Sequence, residues 1–157
     1  YETIKDEKKD LSSLLESKKY FKIVIDEYPN TDFSLDAKFK LALINSILAS
    51  KELYIGKYYL SQKKWIPAMN RFKNIITEYE STEYVEEALH RLVEVNYYLG
   101  LKSEAKKYAV LLGYNYQSSE WYKESYRVFN KKYENPRDKI KKDKQNFIIK
   151  KFKNLFK

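Results

Sequence analysis

The sequence predicts an all-α protein, a tetratricopeptide-type solenoid of antiparallel helix pairs with a basic C-terminal helix. Three observations carry that expectation. Apolar residues recur at helical rather than alternating spacing along most of the 157 residues. Capping residues, prolines and glycines punctuate the pattern at intervals suited to short helices. The segments EYPNT (27–31), EYEST (78–82) and NYQSS (115–119) bring the helices before them into a common register.

The elements follow in order. Asp10 is placed to cap a first helix carrying Leu11, Leu14, Leu15, Phe21, Val24, Ile25 and Tyr28, which Pro29 stops. After the turn PNTD (29–32), a long pattern runs from Asp32 or Phe33 to Ser61, with Phe39, Leu43, Ile47, Ile55 and Tyr59 near helical spacing. Pro67 suits the first turn of the next helix, which runs to about Tyr79, because that turn needs no N–H partner. Ser81 or Thr82 caps a helix ended by Gly100, Ser103 opens another closed by Gly113, and Ser118 or Ser119 starts one broken at Asn135-Pro136. Asn135 then caps a last segment, so the chain divides into repeats over 1–134 and a basic amphipathic tail over 135–157.

The register has a physical basis. Small residues at Ala68 and Ala105 let each second helix approach the first, with Phe72 and Ala109 four residues later beside that contact. Gly56 and Tyr59 supply the matching small and large positions on the first helix of the middle unit, whereas the third unit has Val93 at the small position. The spacing from Ser17 to Ala68 is 51 residues and from Ala68 to Ala105 is 37, so an insertion lengthens the earlier unit.

Composition narrows the function classes. The absence of cysteine rules out disulfides and thiolate chemistry in this stretch. No apolar run approaches the roughly 18 to 20 residues of a membrane-spanning helix. The chain begins at Tyr1 without a signal segment and reads as a piece of a longer protein. Of the net charge of +9, residues 131–157 contribute eleven Lys/Arg against three acids, leaving +1 for the rest. An AT-rich genome would account for part of the Lys, Asn, Ile, Tyr and Phe content.

Catalytic patterns are thin, and the expectation is a non-enzyme without cofactor or metal. His90 forms an i, i+4, i+8 line with Glu86 and Glu94, read as a solvated helix stripe rather than a metal site. No glycine-rich phosphate loop, nucleophile elbow or zinc spacing occurs. Nucleic-acid binding through the basic tail is the less favoured alternative, since Phe21, Phe39, Tyr59, Phe72 and Tyr97 sit at core spacing in a nearly neutral body. In the tail, Ile148, Phe152, Leu155 and Phe156 share helical spacing with Lys150, Lys151, Lys153 and Lys157 interspersed. That pattern suits an anionic membrane surface, an acidic partner, or packing on the last repeat, and amphipathicity does not choose among them.

Residues 49–122 strongly resemble the C-terminal repeats of BamD-like lipoproteins of the outer-membrane β-barrel assembly machinery. The resembling pieces are ELYIGKYYL, AMNRF, TEYVEEAL and LLGYNYQSSEWY, the last in the α-proteobacterial manner. Residues 14–48 fit the preceding repeat more loosely. The resemblance implies a periplasmic scaffold of the outer membrane, tethered through an N-terminal lipidated cysteine that this chain lacks, and lacking also the first two repeats that engage substrates. It implies docking on the POTRA region of a BamA-like barrel insertase, alongside other assembly lipoproteins, with Arg71 facing that partner and Asn70 beside it. Glu80 and Gln117 depart from the family's turn proline. The alternative expectation is a generic tetratricopeptide scaffold that holds an extended peptide in its groove.

Overall fold

The computed structural model describes residues 12–131. Asp10, Leu11, Asn135 and the tail positions named above lie outside the described residues. Among those described, six helices follow one another: α1 Ser12–Glu27, α2 Asp32–Ser61, α3 Trp65–Glu78, α4 Val85–Tyr98, α5 Lys102–Asn115 and α6 Glu120–Phe129. No strand occurs among the described residues, so the all-α reading holds. Helices α1 to α5 each pack on their neighbours in sequence, whereas α6 packs more on α4 than on α5.

Local chemistry sets most of the boundaries. Thr31 caps α2, its Oγ1 accepting from the Ser34 N–H at 3.2 Å while donating to the Tyr28 carbonyl at 2.8 Å. Pro67 falls in the first turn of α3, as its missing N–H requires. Gly100 adopts φ 79° after α4, where the Leu101 N–H donates to the Asn96 carbonyl and the Gly100 N–H to the Tyr97 carbonyl. Those two bonds form a Schellman ending, which uses the left-handed freedom of glycine. Ser119 caps α6 by accepting from the Trp121 N–H at 3.2 Å.

Several expected boundaries shift. Thr82 is nearly buried and donates to the Tyr79 carbonyl at 2.8 Å, so it belongs to a turn and α4 begins three residues later. Ser103 lies inside the first turn of α5, whose N-cap is Leu101. Gly113 does not close α5, which continues to Asn115. It is a glycine of close approach, because a Cβ there would stand 2.6 Å from Cε2 of Tyr122 on α6. Likewise α6 ends at Phe129, short of Asn135-Pro136.

The core is built from the small-against-large scheme. Phe72 is fully buried on α3, and a Cβ on Gly56 of α2 would stand only 2.5 Å from its Cε1. Around that contact gather Ala49, Leu53, Ala68, Ile75, Ala88, Leu89 and Leu92. In the next unit the sizes are exchanged: Val93 replaces the glycine and Ala109 the phenylalanine, and both pack with Ala105. The large and small positions are thus traded across the interface.

The insertion becomes the N-terminal half of α2. At 30 residues this helix is about 45 Å long, and its first half pairs with α1 through Leu14, Ile44 and Leu48. Other apolar positions on this arm are exposed among the described residues. Phe39 and Leu43, expected in the core, are 69% and 49% exposed, and Leu15 and Tyr28 are exposed as well.

Candidate docking edge around Arg71

On α3, Ala68, Phe72 and Ile75 face the core at i, i+4, i+7. Pro67, Asn70, Arg71 and Asn74 follow the same spacing on another flank, where α2 adds Glu52 and Tyr59. Together with Ile66 they line an open depression of about 390 Å³. Arg71 Nη1 donates to Glu52 Oε1 at 3.1 Å and lies 3.3 Å from Oε2, so one nitrogen carries both contacts. The pair ties α3 to α2 and fixes the guanidinium while its side chain stays 41% exposed. A planar guanidinium held this way presents its remaining donors in a fork suited to another carboxylate. Asn70 is exposed beside it.

A second polar cluster is not anticipated from the sequence. Glu87 on α4 meets Lys57 of α2 at 3.0 Å and Arg91 at 3.1 Å, and Arg91 meets Glu94 at 2.7 Å. The Arg91 guanidinium also lies over the Trp121 ring of α6, 5.3 Å from its centroid. His90 is buried rather than solvated, which corrects its placement on a surface stripe. Its Nε2 is 3.5 Å from Glu94 and its Nδ1 is 3.0 Å from the buried Ser125 Oγ, with the Trp121 ring 5.1 Å away. The ring thus bridges Glu94 on its own helix and Ser125 on α6. His90 and Glu94 are therefore brought together, but the third group on the ring is Ser125, not Glu86. The row Glu87, Arg91, Glu94 is legible as i, i+4, i+7 pairs, whereas Ser125 and Trp121 carry no local signal.

Burial alone would raise the Glu94 carboxyl, but hydrogen bonding and charge from His90 and Arg91 hold it below its ordinary value of 4.5. A carboxylate with a depressed folded value stabilises above its unfolded value, and that stability is lost as pH falls through the folded one. Thermal melts taken downward from about pH 6 should show this loss, and Glu94→Gln should flatten it. Equal slopes for both proteins would exclude Glu94 as its source.

Comparison with known proteins places the chain. A family model described as YfiO, outer membrane lipoprotein, matches residues 1–111. The chain belongs to the YfiO family. Among its relatives is the outer membrane protein assembly factor BamD of Rickettsia prowazekii (strain Madrid E), 45% identical over 135 residues. That match covers 86% of this chain and 53% of the relative. The protein of the same name from Caulobacter vibrioides is 37% identical over 130 residues, covering 83% of this chain and 43% of the relative. One from Xylella fastidiosa (strain 9a5c) is 28% identical over 116 residues, 74% of this chain and 40% of its own length. The chain thus spans about half the length of these YfiO-family relatives. Their names are those of assembly factors, not enzymes, which agrees with the reading of the sequence.

Proposed function

We propose that this chain is a non-enzymatic scaffold of the outer-membrane β-barrel assembly machinery, working at the periplasmic face of the outer membrane. Its docking partner is the POTRA region of a BamA-like barrel insertase, and its contact is the α3 edge formed by Arg71 and Asn70. Other lipoproteins of the machinery complete the assembly. The names carried by its YfiO-family relatives support the process, and one observation supports the contact: Arg71 is half-exposed yet already ordered by Glu52. Pre-ordering lowers the entropy cost of a charge-paired interface. The alternative, a peptide groove, would draw on polar side chains of the first helices. There the row Lys57, Glu87, Arg91 and Glu94 pairs within itself, which leaves it less to offer a peptide.

Co-purification with the isolated POTRA domains tests the contact. Arg71→Glu should weaken retention by at least about tenfold, since a docked guanidinium is replaced by a like charge to its partner. Because the introduced carboxylate would also face Glu52, Arg71→Gln should accompany it, with a thermal melt to confirm that the fold persists. Retention equal to wild type in both variants would exclude this edge.

A further inference from the structure

Three positions on α5 depart from the pattern of the preceding repeat. In the register that aligns Ala68 with Ala105, Lys73, Asn74 and Thr77 of α3 correspond to Val110, Leu111 and Tyr114 of α5. The earlier unit is polar at all three, whereas Val110, Leu111 and Tyr114 are apolar or aromatic and 53%, 43% and 82% exposed. An open depression of about 510 Å³ runs beside them, bounded also by Ser103, Lys106 and Lys107. Lys107 is paired with Glu104 at 2.6 Å, so what this face leaves unmatched is chiefly apolar surface.

A repeat array with apolar residues at solvated positions calls for a cap, and position decides what supplies it. Helices α2, α3 and α4 stand between α5 and the start of the chain, each packing on the next. By contrast, α6 lies along α5 in the opposite direction: Tyr122 meets Gly113, and Val128 packs with Ala105 and Ala109. Its end at Phe129 is therefore beside the first turn of α5, and the chain continues from there through residues 130–157. Three residues, 62–64 and 99–101, suffice for two of the helix connections, and 130–135 are available for another before Pro136.

The sequence of 136–157 has the matching pattern. On helical spacing Ile140, Phe147, Ile148, Phe152 and Leu155 share one side. Lys142, Lys150, Lys153 and Lys157 fall opposite. Lys141, Lys144 and Lys151 interrupt the apolar side, and stems of that length carry their charges to water.

We propose that residues 136–157 fold back on their own molecule as a capping helix, with this apolar side against Val110, Leu111 and Tyr114. Ile148 lies as many residues beyond Pro136 as Tyr114 lies beyond Lys102, about 18 Å along each helix, so the two come level. Attachment at α6 favours this site over a separate surface, because a short tether gives an effective concentration on the order of millimolar. The contact involves neither Arg71 nor Glu52 and is independent of the docking proposed above.

Hydrogen exchange read by mass spectrometry on the full chain, dilute and without lipid, tests it. Amides of residues 140–156 should exchange at least about tenfold more slowly than in a free peptide of that sequence, at any protein concentration. Val110→Lys, Leu111→Asn and Tyr114→Thr together give α5 the residues that α3 carries at those positions, so the repeat tolerates them. In that triple variant residues 140–156 should lose their protection while α3 and α4 keep theirs. Ile148→Glu with Phe152→Glu should produce the same loss from the other side of the contact, with the body of the protein untouched. Residues 140–156 without protection in wild type, or protection that survives the triple variant, would overturn the proposal. So would protection that fades on dilution, the mark of a second copy, or that arises only with phosphatidylglycerol vesicles, the mark of an anionic membrane surface.

Discussion

Phe72→Ala is expected to lower the unfolding free energy by about 3–5 kcal/mol, measured by chemical denaturation followed at a helix signal. The ring is fully buried and fills the place where α2 and α3 come closest, against Gly56. Its removal takes away the transfer free energy of the ring and leaves a void among Leu53, Ala68 and Ile75, which surround it. A domain of this size holds roughly 5–15 kcal/mol in all, so one substitution would consume a large share. Gly56→Ala approaches the same contact from the other side. A new Cβ at 2.5 Å from the ring forces a shift, at a cost of about 1–3 kcal/mol. The double variant should cost less than the sum of the two, because the Cβ then enters space the ring has vacated. Additive costs would mean that the two residues do not share the contact.

How far the sequence can be read depends on whether a feature is local. Gly100 as a left-handed helix end, Pro67 in a first turn and Ser119 as a cap are matters of a few residues, and each stands as expected. Ser81, Thr82 and Ser103 mislead because a hydroxyl near a helix start has competing partners, and Thr82 takes a turn carbonyl. The long helix misleads for a different reason. Along α2 the buried side runs through Ala37, Ile44 and Leu48 where α1 covers it, then through Ala49, Leu53 and Gly56 where α3 does. Leu48 and Ala49 are consecutive, so the buried face turns by about 100° where the partner changes. A single periodic stripe drawn through Phe39, Leu43 and Ile47 averages over that turn and selects two exposed residues. In the candidate site, Asn70 and Arg71 are named from resemblance, while the carboxylate that orders Arg71 lies 19 residues away. The bond between His90 and Ser125 spans 35 residues, and nothing local in either helix announces it.

The exchanged sizes in the third unit give the second large effect, and a sharper test of why that unit departs from the scheme. Ala109 is 2% exposed and stands where the preceding unit has Phe72, while Val93 stands where it has Gly56. Ala109→Phe alone should cost about 3 kcal/mol, the upper part of the usual range for overpacking, because the ring must enter space that Val93 occupies. Val93→Gly alone should also destabilise, through a lost side chain and a glycine in mid-helix, by about 2 kcal/mol. If the interface conserves volume, the double variant recreates the Gly56–Phe72 arrangement and recovers part of the combined loss. Recovery should remain incomplete. Tyr97, Tyr108 and Val128 pack around this cluster, and Val128 comes from α6, where the middle unit has other neighbours. Double-variant stability no better than the sum of the single losses would show that the two contacts are not equivalent. The register of Gly56 with Val93 and of Phe72 with Ala109 would then be a coincidence of spacing rather than a repeated packing unit.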